Sequence, residues 1–161
     1  IKLSIKSFKG LPHRMETIYV SEKIKIINDS KSTNGESTAA ALSSFCNIFW
    51  IVGGQPKNDG IGNAKKYLDR VEESFVIGES YNFFANQISK NSKNSKLNKC
   101  ITLEDATELA IKKAQKSNLK EIVILLSPSA ASFDQFINFE DRGNKFKEVV
   151  NNQLNEGVLI C

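Results

Sequence analysis

Short apolar runs alternate with amphipathic segments along the chain. Two of the runs, NIFWIV at 47–52 and EIVILL at 121–126, are apolar at nearly every position. Strands that are covered on both faces of a sheet have this composition, and their alternation with helical segments is typical of βα repetition. The pattern therefore predicts an α/β fold with a Rossmann-like, mostly parallel sheet of about six strands flanked by helices.

The same pattern predicts the order of the elements. The run METIYV at 15–20 precedes the next strand with no helix between them, so we expect it to be an antiparallel edge strand. Thr102 and Asp105 have the spacing of a capping box and predict a helix start. The other predicted strands are 23–28, 47–52, 74–77, 100–101 and 121–126; the predicted helices are 36–46, 62–71, 81–90, 103–117 and 140–154; the polar segment 91–99 is predicted to be a surface loop.

Composition narrows the class of protein. A length of 161 residues fits one domain. The net charge of +4 comes from 22 basic and 18 acidic residues that interleave, which argues against the clustered basic face of a nucleic-acid binder. There is no apolar run of about 18 residues, the length that a membrane span needs. Three cysteines without CxxC spacing are typical of reduced thiols in a cytoplasmic protein, and a single histidine excludes a multi-histidine metal site.

Candidate chemistry lies in the segments that follow predicted strands, because ligands of open α/β sheets bind beyond the carboxyl ends of the strands. The segment NDSKSTN at 28–34 contains Asp29 and Lys31 and leads into a helix N-terminus, which attracts anions. Thr33 and Glu36 also match the capping pattern S/T-x-x-E, and capping is the more frequent role for such a threonine. Both roles remain open at this point.

Two further segments follow strands. GGQPKNDGIG at 53–62 lacks the GK[ST] of a phosphate-binding P-loop, so Lys57 is either a ligand of an anion or a solvated surface lysine. In SPSAASFDQFINFEDR at 127–142 the phenylalanines recur every three residues, which is more typical of a core than of a binding site. Asn138 is expected to cap the last helix. Arg14 fits either a phosphate contact or an exposed ion pair.

The Mur ligase family has similar segments in the same order. They stand here as LPHRME at 11–16, INDSKSTN at 27–34, GG followed by Lys57, IGE at 77–79, TLEDA at 102–106 and LLSPSAASFDQFINFEDRG at 125–143. The chain most resembles the C-terminal domain of the members that add D-glutamate to UDP-N-acetylmuramoyl-L-alanine. The resemblance implies ATP-driven amide formation through an acyl phosphate in peptidoglycan precursor synthesis, with ATP and Mg²⁺ as cofactors of the full-length enzyme.

The resemblance also implies roles for individual residues. Lys31 matches the catalytic lysine near the reacting groups. Arg14 and Asp29 match nucleotide contacts, Asp29 on the ribose hydroxyls. The implied D-glutamate ligands are Thr33, Lys57, Ser132, Phe133 and Phe139, and no metal ligand falls in this chain. Ser32 stands where the family usually has Ala, and the loop around Lys57 has fewer glycines than in many members.

The resemblance implies that the chain is one domain of a longer enzyme and is inactive alone. Residues 1–10 are expected to be the tail of the preceding ATPase domain, residues 11–154 the glutamate-binding domain, and residues 155–161 a C-terminal tail. The expected partners are D-glutamate, ATP, UDP-N-acetylmuramoyl-L-alanine and the missing N-terminal and central domains, without nucleic acid or membrane. The alternatives are a stand-alone Rossmann-like module that binds a small ligand, and a folylpolyglutamate synthase-like domain, against which the segment SFDQFINFEDRG argues.

Overall fold

A computed structural model describes residues 10–92, 94, 96–157 and 159, and it shows a six-stranded sheet between two layers of helices. The strands of this sheet are β1 (Glu16–Val20), β2 (Ile24–Asn28), β3 (Ile48–Gly53), β5 (Val71–Ile77), β6 (Lys96–Lys99) and β7 (Ile122–Leu126). They are ordered β1-β2-β7-β3-β5-β6, with β1 antiparallel to β2 and all other neighbours parallel. The predicted fold class is confirmed, including the antiparallel edge strand.

The helices cover both faces of the sheet. They are α1 (Gly35–Ser43), a 3₁₀ helix (Gly62–Arg70), α2 (Tyr81–Asn91), α3 (Leu103–Lys116) and α4 (Phe139–Asn155). One hydrophobic core lies between the sheet and α3 with α4, and the other between the sheet and α1, the 3₁₀ helix and α2. Every residue of β3 and β7 is buried, as the two continuous apolar runs predicted. The capping box of Thr102 and Asp105 is present at the start of α3.

The sixth strand was predicted in the wrong place. Residues 100–101 are not a strand; β6 covers Lys96–Lys99, inside the segment that was predicted to be a loop. β6 is an edge strand that pairs with β5, and lysines are usual on such edges. Its Leu97 packs on one of the cores, and the Asn98 amide donates to the carboxylate of Glu73 on β5. Pairing with β5 therefore makes a strand of a segment whose own composition is polar.

The two ends of the predicted domain organisation fall largely outside the described residues. This is true of residues 1–9 of the expected ATPase-domain tail and of 158, 160 and 161 at the other end. The described Leu159 is buried, and its carbonyl accepts a hydrogen bond from the Tyr19 hydroxyl on β1. Among the described residues, no helix is both long and apolar enough to cross a bilayer.

Candidate functional site

Three loops meet at the carboxyl edge of the sheet because β2, β3 and β7 run parallel. We call residues 29–34, which follow β2, the first loop; residues 54–61, which follow β3, the second loop; and residues 127–138, which follow β7, the third loop. Main-chain hydrogen bonds join the third loop to its neighbours: Ser129 N donates to Ser32 O (3.0 Å), and Gly53 N donates to Pro128 O (3.0 Å). The loops therefore form one connected surface.

A pair of two-residue strands fastens the second loop to the third. β4 (Gln55–Pro56) is antiparallel to β8 (Ala130–Ala131). The pairing needs a glycine beside it, since Gly54 has a φ of 125° and a Cβ there would collide with the carbonyl of Ala131. Lys57 directly follows β4 and Ser132 directly follows β8, so the pairing brings these two predicted ligands into neighbouring loops. The local composition did not predict this pair of strands.

Arg142 ties the first loop to the third. Its side chain is 1% exposed. The guanidinium donates to Ser30 Oγ (3.0 Å), to Ser30 O (2.8 Å) and to Ala130 O (3.1 Å). Burial lowers the pKa of Arg142 to about 10, which still leaves the group charged near neutral pH. The sequence interpretation gave this residue no role, although its helical spacing with the buried Phe146 and Val149 on α4 places it on the core face.

A cleft of about 300 Å³ lies between the first loop, α1 and the segment before β1. Arg14, Asp29 and Lys31 line it together with Ser32 and Ser37, so the structure brings together the two residues that were predicted to contact nucleotide and the predicted catalytic lysine. Arg14 and Lys31 can donate to an anionic ligand here, and the Asp29 carboxylate can accept from ligand hydroxyls.

Asp29 is buried at the floor of this region. Its carboxylate accepts hydrogen bonds from Met15 N (3.1 Å) and from Ser127 Oγ (3.1 Å). Burial raises the pKa of Asp29 to about 6, and the hydrogen bonds and the charge of Arg14 only partly oppose the rise. A carboxylate has about four acceptor positions, so the donors on Met15, Ser127 and Ser32 leave capacity for a ligand hydroxyl.

Lys31 and Phe139 are in contact. The Lys31 ammonium lies over the Phe139 ring at 5.3 Å from its centroid, a cation–π arrangement. Phe139 is the first residue of α4, and Asn138 caps this helix by accepting from Asp141 N (2.7 Å), as predicted. Lys31 itself is exposed at the rim of the cleft.

The interpretation of Thr33 as the cap of α1 is wrong. The cap is Asn34, whose side chain accepts from Ser37 N at 2.9 Å. The extended backbone of Asn34 starts the helix one residue later than the S/T-x-x-E pattern implied. Thr33 is half-buried beside the helix N-terminus, and its hydroxyl makes no hydrogen bond with any described residue.

The remaining predicted ligands differ in their surroundings. Ser132 is buried, and its carbonyl accepts from Gln135 N and Phe136 N in one tight turn. Lys57 is exposed in a turn that Gly60 N closes on its carbonyl (2.9 Å). Phe133 is 69% exposed, and no hydrogen bond or ring contact within the described chain joins it to the other predicted ligands. The structure thus groups Arg14, Asp29 and Lys31 around one cleft, with Phe139 in contact with Lys31. It groups Lys57 with Ser132 by loop pairing.

Comparison with known proteins gives consistent matches. The profile of the family described as "Mur ligase, glutamate ligase domain" matches residues 13–130. UDP-N-acetylmuramoylalanine--D-glutamate ligase of Rhodopseudomonas palustris is 44% identical over 146 residues, which are 91% of this chain and 31% of that protein. The protein of the same name from the Wolbachia of Brugia malayi is 46% identical over 142 residues, 88% of this chain and 28% of that protein. The chain therefore spans about a third of the length of these curated relatives.

Solved structures share the fold. UDP-N-acetylmuramate-alanine ligase of Thermotoga maritima matches with a TM-score of 0.58 and 16% identity, over 94% of this chain and 33% of that one. The bifunctional folylpolyglutamate synthase/dihydrofolate synthase of Yersinia pestis matches with a TM-score of 0.53 and 17% identity, over 89% and 32% respectively. At these identities the likeness concerns the architecture.

Proposed function

The chain belongs to the Mur ligase family, whose glutamate ligase domain it matches, and from this premise we propose that it is the D-glutamate-binding domain of an ATP-dependent ligase that extends UDP-N-acetylmuramoyl-L-alanine in peptidoglycan precursor synthesis. The observation that carries the proposal is the joining of three loops, with two lysines and the N-termini of two helices, at one sheet edge. Because both described cysteines are free thiols, we place the reaction in the cytoplasm.

The chemistry of this edge suits a dianionic amino acid. Lys57 supplies a full positive charge, while Thr33 and Ser132 supply hydroxyl donors that no described side chain uses. Two carboxylates held in this way would leave the amine of D-glutamate to point away from them, toward the acyl phosphate. Phe139 then forms an apolar wall for the methylene groups, and Lys31 above it favours the anionic reacting group.

Nucleotide fits the cleft beside this edge. We assign Asp29 to the ribose hydroxyls and Arg14 to phosphate oxygens, since both line the cleft that Lys31 borders. ATP is the second substrate in this proposal. Among the described residues no group of three or more His, Cys, Asp or Glu side chains is placed to hold a metal ion, and the proposal assigns Mg²⁺ no ligand in this chain.

The two alternative functions have less support. The curated relatives that cover most of this chain at 44% and 46% identity carry the name of a D-glutamate ligase, whereas the folylpolyglutamate synthase resembles the chain in fold at 17% identity. The stand-alone module has less support because these two relatives are longer proteins, of which this chain covers 31% and 28%.

Substitution of the predicted ligands in the full-length enzyme tests the proposal. Lys57→Ala removes a charge-assisted contact of about 1.5–3 kcal/mol, so KM for D-glutamate should rise roughly ten- to a hundredfold, with some loss of kcat because the amine is held less firmly. Ser132→Ala should act in the same direction but more weakly. Thr33→Ala should raise KM without lowering Tm, since Asn34 and not Thr33 caps α1.

The matched control is Lys65→Ala, which removes an exposed lysine from the 3₁₀ helix. It should leave KM unchanged for D-glutamate, for ATP and for UDP-N-acetylmuramoyl-L-alanine. KM for ATP should stay constant in every variant. If Lys57→Ala and Ser132→Ala leave KM for D-glutamate at its original value, the assignment of these residues to glutamate is wrong.

A further inference from the structure

His13 is the single histidine of the chain, and the proposed reaction gives it no task. It lies in the segment before β1 and is 5% exposed. Its backbone has a φ of 61°, a left-handed conformation that is uncommon outside glycine. Its carbonyl accepts the main-chain N–H of Lys31 (3.0 Å). A buried polar ring on such a backbone needs partners for its nitrogen atoms, and the neighbouring residues supply them.

The Asn28 amide fixes which ring nitrogen of His13 carries the proton. Asn28 Oδ1 accepts from Ser30 N (3.1 Å), which sets the orientation of the amide and makes Nδ2 the atom that faces His13 Nδ1, 3.0 Å away. Nδ2 also faces the carbonyl of Gly143 and Glu16 Oε2 (both 3.2 Å), so its two protons are shared among three acceptors. An amide nitrogen only donates, so a proton on His13 Nδ1 would face a group that cannot accept it, and the proton of the neutral ring lies on Nε2.

The charges around the ring agree with a neutral imidazole. Burial and the charge of Lys147 lower the pKa of His13, while Glu16 and Glu140 act in the opposite direction. Glu16 Oε2 is 3.9 Å from His13 Nδ1, too far for a hydrogen bond, and accepts instead from the His13 main-chain N–H (3.0 Å) and from Asn28 Nδ2 (3.2 Å).

The other contacts of His13 lead to the proposed glutamate site. The imidazole meets the Phe139 ring edge-on, with 6.3 Å between centroids and 78° between planes. Lys31 lies over that same Phe139 ring and is bound through its main chain to the His13 carbonyl. The imidazole packs directly against α4 at Gly143. Only glycine fits there, because a Cβ on Gly143 would collide with His13 Nδ1.

We propose that His13 is a positioning residue: its neutral imidazole, locked in the Nε2–H tautomer by Asn28, holds the Phe139 ring in place, and its main-chain carbonyl holds the main chain of Lys31. The tautomer follows from geometry alone, and the effect on glutamate rests on the proposed function. The proposal thus has two parts, which are tested separately.

The tautomer is tested on this chain by NMR of the imidazole nitrogens, where a single histidine gives one unambiguous set of signals. We expect the Nε2–H form at neutral pH. In Asn28→Asp a carboxylate would accept a proton from Nδ1, so the His13 pKa should rise by at least one unit and the ring should become imidazolium near neutral pH. Asn144→Asp, an exposed position on α4, adds the same charge without the contact and should cause a much smaller rise.

An Nδ1–H tautomer in the unsubstituted chain would overturn the proposal even if Asn28→Asp did not fold. An unchanged His13 pKa in a folded Asn28→Asp variant would overturn it as well.

Positioning is tested by His13→Asn in the full-length enzyme. Asn tolerates the left-handed backbone, and its amide oxygen can accept from Asn28, so the ring alone is lost. We expect KM for D-glutamate to rise about two- to tenfold, the size of an aromatic edge contact, with KM for ATP unchanged. Gly143→Ala, whose new Cβ would collide with His13 Nδ1 and displace the ring, should give the same split.

Lys57→Ala separates the two possible failures. If Lys57→Ala raises KM for D-glutamate and His13→Asn does not, the positioning role is wrong and the proposed function stands. If neither variant changes that KM, the glutamate assignment fails, and the positioning role fails with it. An equal rise in KM for D-glutamate and for ATP in His13→Asn would identify a general structural role and also overturn positioning.

Discussion

At the scale of single residues, the site contains a charged group, Asp29, that is buried. Asp29 is 5% exposed, and the groups that donate to its carboxylate, on Met15, Ser127 and Ser32, are neutral. A buried carboxylate without a direct ion pair is costly, and this cost appears as a pKa of about 6 instead of 3.8. A buried carboxylate that lowers stability is expected where its oxygens accept hydrogen bonds from a bound ligand. The burial of Asp29 therefore agrees with its proposed contact to nucleotide.

The cost predicts an unusual pH dependence of stability. Because the folded-state pKa of Asp29 is raised, the folded chain binds the proton more tightly than the unfolded chain. The contribution of Asp29 is therefore fully favourable below pH 3.8 and is lost as the pH rises through about 6. Asp29→Asn keeps an acceptor for Met15 N and removes the charge, so at pH 7 it should raise the free energy of unfolding by about 1–3 kcal/mol.

Urea unfolding followed by the fluorescence of the single tryptophan, Trp50, measures this effect. Trp50 is buried and its indole N–H donates to Ser127 O (2.8 Å), so its emission should change on unfolding. The difference between Asp29→Asn and the unsubstituted chain should shrink from pH 7 to pH 4. Asp69→Asn, at an exposed position, is the control. A difference that is the same at both pH values would contradict the assignment of the cost to ionisation.

At the scale of elements, the site depends on how α4 is docked. Its first turns carry Phe139 into the site, the Arg142 guanidinium to Ser30 and Ala130, and the Gly143 carbonyl to Asn28. One helix therefore holds the loops after β2 and β7 together. These polar contacts act together with apolar ones, since Ala130 of the third loop is in one core and Phe136 packs on the other.

Arg142→Met tests this role of α4. The substitution leaves the carbonyls of Ser30 and Ala130 without their buried donor, and we expect a loss of about 2–4 kcal/mol in the free energy of unfolding. Amide hydrogen exchange should increase first at Ser129, whose N–H bonds to the first loop. Asn151→Met at an exposed position of α4 is the control for the new side chain. Wild-type exchange at Ser129 in Arg142→Met would show that the loops are held by other contacts.

At the scale of the whole molecule, the sequence has no GK[ST] motif of a phosphate-binding P-loop. The backbone of the glycine-rich second loop is engaged with β8 and the 3₁₀ helix. In the proposed function Arg14 and Asp29 contact one side of a nucleotide, so we propose that full binding of ATP requires a second surface.

The isolated chain should fold cooperatively and be catalytically inactive. Two hydrophobic cores and the fully buried central strands β3 and β7 supply the stability. Calorimetry should detect no ATP binding at micromolar concentrations, and no ADP should form from ATP, the muramoyl substrate and D-glutamate. Micromolar affinity for ATP would favour the stand-alone module, and turnover would contradict the proposed need for a second surface.

Much of this architecture follows from the sequence because its causes are local. Short continuous apolar runs that end at Gly or Pro are typical of strands with two covered faces, and β3 and β7 were predicted within one or two residues. The caps Thr102 and Asn138 act on amides three residues away, and both were predicted. The order of the family segments predicted which loops carry the chemistry, and this remains a prediction.

Only the tertiary structure decided the features whose partners are far apart along the chain. β6 is a strand because β5 lies beside it, and β4 meets β8 because β3 and β7 are neighbours in the sheet. Arg142 acts across 112 residues on Ser30, and the His13 tautomer depends on an amide 15 residues away. Hydrophobic periodicity indicates which face of an element is buried. A buried polar group, however, is stabilised by hydrogen-bond partners that folding brings to it, and the sequence pattern does not show which residues these partners are.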